Sequence, residues 1–448
     1  FFNTSAEPLD VIYDITPFYD DGAVICEGSS VQYIVTVNPS VSMDPVDSLI
    51  LCDGDSIPED FLFTSQNTGG QMSYSWEITN GVNIGFGLNG PSPEQINNLS
   101  VNTGSPGNVP VIATFTVIPT FTNQGVSADG PSEEFTITVI PNGQVNQVDD
   151  IIVCNGDFVN KIPFTTLNLD LNGEGLTQFD WEIINGVDIG MNPANGLTES
   201  TPAFFADNLT NLPTVAIIEV TPIYYYPSLN GLLCPGDPIT FTITVNPEPQ
   251  IDPISEVICS DIGSFDITPV DGTNGIVPVG TTYTWTVDDA SNVITGEDAG
   301  TGSSISDSDL FNTTSSPADL VYTVTPSTAE GCVGEDFTIT ITVNPEPQIN
   351  DVAQTICNDE TFTTVDPQDG TNGIVPVGTT YSWGVPVSNP AGAITGGVAG
   401  TDESSIVGTQ LTNGTSSPAD LVYTVTPSTA EGCVGEDFTI TITVNPEP

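Results

Sequence analysis

Carboxylates and thiols carry most of the reactive chemistry open to this sequence. The chain has 58 Asp and Glu residues and eight Cys, but a single basic residue, Lys161, and no His. Two carboxylates could act as general acid and base in the hydrolysis of a glycosidic bond. The acidic residues fall in turn segments, however, such as Asp53 to Asp55 and Asp288 to Asp289, where Asp favours the turn and stays hydrated. We therefore predict that the chain has no catalytic residues and is not an enzyme.

Calcium is the cation that these carboxylates would favour, because it takes several oxygen ligands. The nearest approach to a calcium loop is Asp170, Asn172 and Glu174, which lack the other ligands of an EF-hand. These three residues are the metal candidates. The alternative is a diffuse cloud of counterions that screens the charge, and no other cofactor is expected.

The net charge of -57 limits the partners of the chain. Nucleic acids and anionic membrane surfaces attract clustered Lys and Arg, which are missing here. No run of about 18 apolar residues and no signal peptide is present, so we expect no membrane insertion, with any signal or anchor outside this segment. At 38% hydrophobic and only 13% charged residues, the composition favours folded β-sheets.

Internal repetition organises the sequence. Residues 314–347 recur letter for letter at 415–448, and residues 271–283 recur at 369–381. Two more divergent copies precede them. The predicted segments are a partial repeat at 1–39 with only the last strands of a copy, repeat 1 at 40–142, repeat 2 at 143–249, repeat 3 at 250–347 and repeat 4 at 348–448. Linkers of the Asn-Pro-Glu-Pro type are stiff and extended, so we expect the repeats to form an elongated rod.

Each repeat contains short alternating runs that predict β-strands. Runs such as TYTWTV and LVYTVTP are separated by clusters of Gly, Pro, Asn and Ser. An aromatic residue precedes each Trp by two positions, which places both rings on one face of a strand. The expected core residues are Trp76, Trp181, Trp285 and Trp383. About seven strands in about 100 residues, with a Trp on the third, predict an all-β fold of tandem immunoglobulin-like β-sandwich repeats.

The cysteines have no metal-ligand spacing, which favours disulfides formed in an oxidising compartment. An early cysteine precedes the second predicted strand, and these are Cys52, Cys154, Cys259 and Cys357. A late cysteine precedes the last strand, and these are Cys26, Cys234, Cys332 and Cys433. Repeat 1 has no late cysteine.

Two pairing schemes remain open. Pairing within a repeat leaves Cys52 without a partner. Pairing each early cysteine with the late cysteine of the following repeat gives Cys52–Cys234, Cys154–Cys332 and Cys259–Cys433, and leaves Cys26 and Cys357 for flanking repeats. The second scheme is favoured, because the two loops lie at opposite ends of one immunoglobulin sandwich but meet when sandwiches stack end to end.

Three consecutive tyrosines, Tyr224, Tyr225 and Tyr226, precede Cys234. They could form a recognition surface for a glycan or a protein. The alternative, which we favour, is that they pack against the neighbouring repeat. Asn312 and Asn413 begin Asn-x-Thr triplets, which would matter only in a glycosylating host.

The sequence resembles a known family in its Tyr-x-Trp strand, its LVYTVTP strand and its GCVGEDFTITITVNPEP ending. These features are similar to the PKD-like and immunoglobulin-like repeats of giant secreted surface proteins of Bacteroidetes, including flavobacterial gliding-motility adhesins. The resemblance implies an extracellular, outer-membrane-associated filament exported by type IX secretion. Its partners would be the flanking repeats, a surface polysaccharide or substratum, and gliding and secretion machinery reached through other regions. A structural stalk is the first functional hypothesis, and a glycan-binding array is the alternative.

Overall fold

Strands make up all the regular secondary structure that the computed structural model shows in residues 1–90, 95–104, 107–169, 175–227, 231–260, 263–290 and 292–447, which are the described residues. The chain divides into two compact units. Unit 1 comprises Phe1–Ile151, Phe158–Phe205 and Val215–Ile243, and unit 2 comprises Ile152–Asp157, Ala206–Thr214 and Thr244–Pro448. Repeat 2 therefore contributes residues to both units.

The partial repeat in unit 1 has two pairs of strands. They are β1 (Leu9–Ile15), β2 (Phe18–Asp20), β3 (Ile25–Glu27) and β4 (Val31–Val37). β1 and β4 pair antiparallel, and β2 and β3 form a hairpin. Apolar side chains on both pairs are exposed, among them Ile12, Tyr33 and Tyr19.

Repeat 1, also in unit 1, has one main sheet. Its strands are β5 (Leu49–Cys52), β6 (Gln71–Ile78), β7 (Asn89–Gly90), β8 (Val111–Asn123), β9 (Val126–Asp129) and β10 (Glu133–Ile140). The sheet order is β5-β10-β8-β6-β7, and β9 pairs with β8. β5 runs parallel to β10, whereas the other pairs are antiparallel. A single bridge between Ser56 and Ser100 lies outside this sheet.

Repeat 2 contains eight strands. They are β11 (Ile151–Cys154), β12 (Phe158–Val159), β13 (Leu176–Ile183), β14 (Asn195–Leu197), β15 (Phe204–Phe205), β16 (Thr214–Tyr226), β17 (Leu232–Pro235) and β18 (Ile239–Asn246). Within unit 1, β13 pairs with β14 and β16, β16 pairs with β17, and β12 pairs with β15.

Repeat 3, in unit 2, has a five-stranded and a three-stranded sheet. Its strands are β19 (Gln250–Ile251), β20 (Ile254–Cys259), β21 (Gly263–Ile267), β22 (Gly275–Ile276), β23 (Thr282–Asp288), β24 (Ile294–Thr295), β25 (Gly300–Gly302), β26 (Ile305–Asn312), β27 (Ala318–Ser327) and β28 (Phe337–Asn344). The sheet orders are β20-β28-β27-β23-β25 and β21-β26-β24. β20 is parallel to β28, which places Cys259 opposite Asn344.

Repeat 4 repeats this plan in unit 2. Its strands are β29 (Gln348–Ile349), β30 (Val352–Cys357), β31 (Glu360–Thr361), β32 (Gly373–Ile374), β33 (Thr380–Trp383), β34 (Val387–Asn389), β35 (Ile394–Thr395), β36 (Gly400–Glu403), β37 (Gln410–Asn413), β38 (Ala419–Ser428) and β39 (Phe438–Asn445). The sheet orders are β30-β39-β38-β33-β36, with β34 on β38, and β31-β37-β35. Cys357 lies opposite Asn445 in the parallel pair β30 and β39.

Alternation of apolar and polar residues builds the core of each repeat. In β27 the side chains of Leu320, Tyr322 and Val324 are buried, and the residues between them are not. All four Trp side chains are buried, with Trp181 the most enclosed at 1% exposed. The Trp285 indole N–H donates to the Asp298 carbonyl at 3.1 Å, so the buried ring keeps its polar atom satisfied. The chain is thus an all-β array of tandem immunoglobulin-like repeats.

Candidate functional site at the disulfide junctions

Three disulfides join cysteines of consecutive repeats. The bonded pairs are Cys52 with Cys234 in unit 1, and Cys154 with Cys332 and Cys259 with Cys433 in unit 2. The Cα atoms of each pair lie 5.5 to 5.6 Å apart, which is a distance that a disulfide spans readily. These are the pairs of the inter-repeat scheme. Pairing within a repeat would instead have joined Cys259 to Cys332. Cys26 and Cys357 are free and exposed.

A carboxylate closes the turn that follows the early cysteine. The cysteine N–H donates to a carboxylate oxygen three residues later, in the pairs Cys52 to Asp55 at 2.9 Å, Cys154 to Asp157 at 2.8 Å and Cys357 to Glu360 at 2.9 Å. A short acidic side chain suits this geometry, because it can accept from a nearby backbone N–H. Part of the acidic character of the chain is therefore used to shape these turns.

The residue after each early cysteine connects the turn to a facing segment of the same repeat. Its side-chain oxygen accepts a backbone N–H, in the pairs Asp53 from Thr103 (3.0 Å), Asn155 from Asn208 (2.7 Å), Ser260 from Asn312 (2.8 Å) and Asn358 from Asn413 (2.6 Å). This bond fixes the turn against the sandwich, so the cysteine beside it is held in one position.

A buried asparagine completes this connection in repeats 2, 3 and 4. Asn312, which is fully buried, donates from its side-chain amide to the carbonyl oxygens of Ser316 at 2.8 Å and Val343 at 2.9 Å. Asn208 and Asn413 make the corresponding pairs of bonds. Asn312 and Asn413 are therefore structural, and their amides are not accessible for glycosylation in the folded chain.

The late cysteine lies on a hairpin. Cys234 in β17 is opposite Tyr224 in β16, and the Gly236 N–H donates to the Pro222 carbonyl at 2.8 Å. In repeat 4 the hairpin is tighter. There the Thr429 hydroxyl accepts a hydrogen bond from the Cys433 N–H at 3.2 Å. The three bonded late cysteines are at most 1% exposed. In each disulfide the late cysteine is therefore shielded from solvent.

A glycine two residues after each bonded late cysteine lies against the linker that leads into its own repeat. A Cβ atom at Gly236, Gly334 or Gly435 would lie only 1.8 to 2.1 Å from a linker carbonyl oxygen, which belongs to Gly143, Pro249 or Pro347 respectively. Real Cβ contacts are never that short, so the position requires glycine. The linker and the late hairpin are consequently in direct contact.

The tyrosines before Cys234 take part in the second junction, between repeats 1 and 2. Tyr224 is 1% exposed and packs with Ile140 and Cys234, while Tyr226 packs against the same cluster. The Tyr224 hydroxyl donates to the Leu169 carbonyl at 3.1 Å. Packing against the neighbouring repeat, the favoured interpretation, therefore holds for Tyr224, whose buried ring is not part of a recognition surface. Tyr225 is half-buried.

The first junction, between the partial repeat and repeat 1, has no disulfide. Ala128 in β9 lies opposite Phe121, in the place that Cys234 takes opposite Tyr224. The Asn123 amide donates to the Asn38 side-chain oxygen at 3.0 Å across this junction. A side-chain hydrogen bond therefore connects the two repeats at this junction, where the covalent bond is missing.

Polar side chains add a second contact at the third junction, between repeats 2 and 3, and at the fourth, between repeats 3 and 4. The Asn211 amide donates to the Asp271 carboxylate at 2.8 Å, and the Ser315 hydroxyl donates to the Asp369 carboxylate at 2.8 Å. The Val375 N–H, followed by Ser315, lowers the pKa of Asp369 below its ordinary value, because both donate to the charged form. These bonds are exposed and add less than the disulfides.

The candidate metal ligands Asp170, Asn172 and Glu174 lie outside the described residues. Among the residues that the structure describes, no group of three or more His, Cys, Asp or Glu side chains is arranged to hold a metal ion. In the same part of the chain, no helix is long and apolar enough to cross a membrane. Three disulfides in an immunoglobulin-like array are typical of an extracellular or secreted protein.

Sequence comparison relates most of the chain to one family. A sequence model described as PKD-like domain matches residues 1–41, 151–249, 256–347 and 354–448. Residues 42–150, which hold nearly all of repeat 1, lie outside these matches. No curated protein sequence gives a significant match.

Solved structures to which the chain is similar include cadherin and titin fragments. The EC1–4 fragment of Drosophila N-cadherin is 11% identical, covers 90% of this chain and 99% of its own, and has a TM-score of 0.25. An I-band fragment of titin is 10% identical, covers 68% of this chain and 98% of its own, and scores 0.32. The EC22–24 fragment of mouse cadherin-23 is 12% identical, covers 67% and 96%, and scores 0.31. Likenesses at this level carry no functional information.

Proposed function

The chain belongs to the PKD-like domain family, and from that premise we propose that it is a structural stalk segment of a secreted cell-surface adhesin filament that serves surface attachment and gliding motility. Tandem repeats suit a part whose function is length, because each copy adds a similar increment. The resemblance to repeats of gliding bacteria supports the assignment to attachment and motility.

The observation that carries this proposal is the set of inter-repeat disulfides. Each one joins an early cysteine to the late cysteine of the next repeat, over sequence separations of 182, 178 and 174 residues. The enclosed segments overlap along the chain. Unfolding one repeat under tension would then not release its residues, since the bond that encloses them belongs partly to its neighbour. Such a connection suits a part that bears load.

The charge of the chain supports the same function. A net charge of -57 makes neighbouring filaments repel each other at separations up to about 10 Å in 0.1 M salt. Filaments would therefore stay separate at low salt and associate more readily at high salt. A stalk that must present a distant tip benefits from this repulsion.

The glycan-binding array is the weaker function. Its sequence support was the run of three tyrosines before Cys234, of which Tyr224 is buried in the second junction. No other observation in the described residues favours a sugar site over a structural one.

Small-angle scattering of the purified chain tests the stalk directly. Four repeats of about 35 Å placed end to end give a radius of gyration of about 40 Å, whereas a compact chain of 448 residues gives about 22 Å. A value near 40 Å is expected. A value near 22 Å would overturn the proposal, as would saturable binding to a defined glycan that is lost in Tyr225→Ala.

A further inference from the structure

The segments that the three disulfides enclose overlap along the chain. They are residues 52–234, 154–332 and 259–433. Each segment begins before the preceding one ends, so every peptide bond from residue 52 to residue 433 lies inside at least one of them. The bonds within residues 154–234 and 259–332 lie inside two. A single break in the backbone between these limits would therefore leave the two parts of the chain joined by at least one S–S bond.

Residues 1–51 lie outside these segments, which provides a contrast within the same molecule. The turn between β2 and β3 contains the exposed Ala23, and the corresponding turn between β8 and β9 contains the exposed Gln124. Both hairpins close with a glycine N–H that donates to a proline carbonyl at 2.8 Å. None of the three disulfides spans the first turn, whereas Cys52–Cys234 encloses the second. The two turns therefore differ in covalent protection but share the same kind of hairpin.

Exposed loop tips are the parts of a folded chain that proteases cut most readily. Val279 is 85% exposed and Val377 is 95% exposed, and each stands between a Pro and a Gly in the loop before a Tyr-x-Trp strand. Serine proteases with a small S1 pocket, such as elastases, accept a small aliphatic side chain at the cut. Val279 lies inside two enclosed segments and Val377 inside one. Both accessible sites thus lie where the chain has a further covalent connection.

The strands on both sides of these loops have partners of their own. Before Val279, β22 pairs with β19, and after it β23 pairs with β25 and β27. Before Val377, β32 pairs with β29, and after it β33 pairs with β36 and β38. A cut in either loop would leave these hydrogen-bonded strand pairs intact, so the repeat would stay folded around the break.

We propose that the overlapping disulfides give the chain a second covalent path, which keeps it in one piece after a protease has cut the backbone once between residues 52 and 433. The inference rests on the proposed stalk function, because continuity along the chain matters most to a part that carries load. The cut itself adds one water across a peptide bond and leaves a carboxylate and an amine. The S–S bonds take no part in it, so the second path needs no oxidant or reductant to act.

Trypsin tests the proposal at one natural position. Lys161 is the only Lys or Arg residue, its side chain is exposed, and the bond after it lies inside two enclosed segments. The folded full-length chain is treated with iodoacetamide to block Cys26 and Cys357, cut with trypsin and denatured without reductant. Mass spectrometry should find one species, heavier by one water than the equally treated uncut chain, that separates into residues 1–161 and 162–448 only on reduction. Two separate pieces before reduction would overturn the proposal.

A pair of variants tests whether the position of the cut decides the result. In a Lys161→Gln background, Gln124→Lys and Ala23→Lys each introduce one tryptic site, in the two corresponding turns. The cut after residue 124 should leave one species, and should release the N-terminal part once Cys52→Ala and Cys234→Ala remove the enclosing bond. The cut after residue 23 should release its peptide whether or not that disulfide is present. If the cut after residue 124 releases the N-terminal part while Cys52 and Cys234 are in place, the proposal is wrong.

Stretching the trypsin-cut chain from both ends tests whether the second path carries load. The tether should hold at forces that the uncut chain withstands, and should break when a reductant is added. Loss of the tether without a reductant would contradict the proposal. A cut chain that stays joined, while the uncut chain has a radius of gyration of about 22 Å, would overturn the stalk function alone. Separation of a chain whose uncut form has a radius of gyration of about 40 Å would overturn the second path alone.

Discussion

The first and second junctions, both in unit 1, have the same backbone framework but only one of them has a disulfide. Gly130 donates to Pro119 in the first and Gly236 donates to Pro222 in the second, both at 2.8 Å. Ala128 stands in the first junction where Cys234 stands in the second. The hairpin geometry therefore does not depend on the disulfide. The disulfide adds a covalent limit on how far a junction can separate.

The absence of a late cysteine in repeat 1 agrees with this comparison. Repeat 1 is also the repeat that the family match leaves out. Variation of the sequence and loss of the covalent bond thus occur in the same repeat.

Removing the disulfide of the second junction should have the largest effect. The double substitution Cys52→Ala with Cys234→Ala frees a 182-residue loop in the unfolded chain and should lower the free energy of unfolding by about 4 kcal/mol. Urea denaturation followed by Trp fluorescence measures the change. Cys26→Ala, which removes a free exposed thiol, is the matched control and should shift it by less than about 0.5 kcal/mol. Equal free energies of unfolding for the double variant and for the Cys26→Ala control would contradict a stabilising role for this disulfide.

The buried asparagine of repeat 3 should have the next largest effect. Asn312→Ala removes two donated bonds and leaves the buried carbonyls of Ser316 and Val343 without these partners, which should cost about 2 to 4 kcal/mol. Denaturant unfolding of the full chain measures the loss. Asn211→Ala removes an exposed bond to Asp271 and should cost less than about 0.5 kcal/mol. If both substitutions lower the free energy of unfolding by the same amount, the Asn312 side chain does not help to fix the turn that follows Cys259.

Glycine replacement compares the two junctions directly. Gly236→Ala would place a Cβ atom 1.8 Å from the Gly143 carbonyl oxygen, whereas Gly130→Ala would place one 2.8 Å from the Val41 carbonyl oxygen. We expect Gly236→Ala to cost about 1 to 3 kcal/mol and Gly130→Ala to cost less, because the linker has less distance to move. Thermal unfolding of both variants measures the difference. The reverse order would show that the disulfide junction is the looser one.

The smallest effect is expected on the stability of the fold at acidic pH, through the Asp369 carboxylate. The pKa of Asp369 is lowered by the Val375 N–H and by Ser315, so its charged form stabilises the fold above the ordinary Asp pKa of 3.8. That stabilisation is lost as the pH falls from 3.8 through the lower folded pKa. Ser315→Ala should raise the Asp369 pKa part of the way back, as followed by NMR of its side-chain carboxyl carbon. An unchanged pKa would mean that Ser315 does not bond Asp369 in solution.

The repeat architecture could be predicted from the sequence because its signals are local. Tyr283 and Trp285 lie two residues apart on β23, and both are buried as the alternation predicts. The sequence favours the pairing of Cys259 with Cys433 over pairing within a repeat, because the two loops lie at opposite ends of one sandwich, and the structure has this bond. Repetition strengthens both predictions, since an aromatic residue two positions before a Trp and an early cysteine recur in all four repeats.

The supporting contacts of the site could not be predicted in the same way. Asn312 appeared as a chance glycosylation triplet, although Asn208 and Asn413 begin the same Asn-x-Thr pattern before a late strand, and this recurrence was the available signal. Tyr224 was ambiguous because burial against a neighbouring repeat depends on how two sandwiches meet. The alternation of apolar and polar residues within one repeat does not show how that repeat meets its neighbour.

Stretching single molecules from both ends tests the central claim, that disulfides join each repeat to the next. In the oxidised chain, Cys52–Cys234 and Cys259–Cys433 bypass 182 and 174 residues. At about 3.5 Å per residue, reduction should therefore add about 1,200 Å to the fully extended length. A gain of that size is the predicted result. The same length before and after reduction would contradict the inter-repeat bonds.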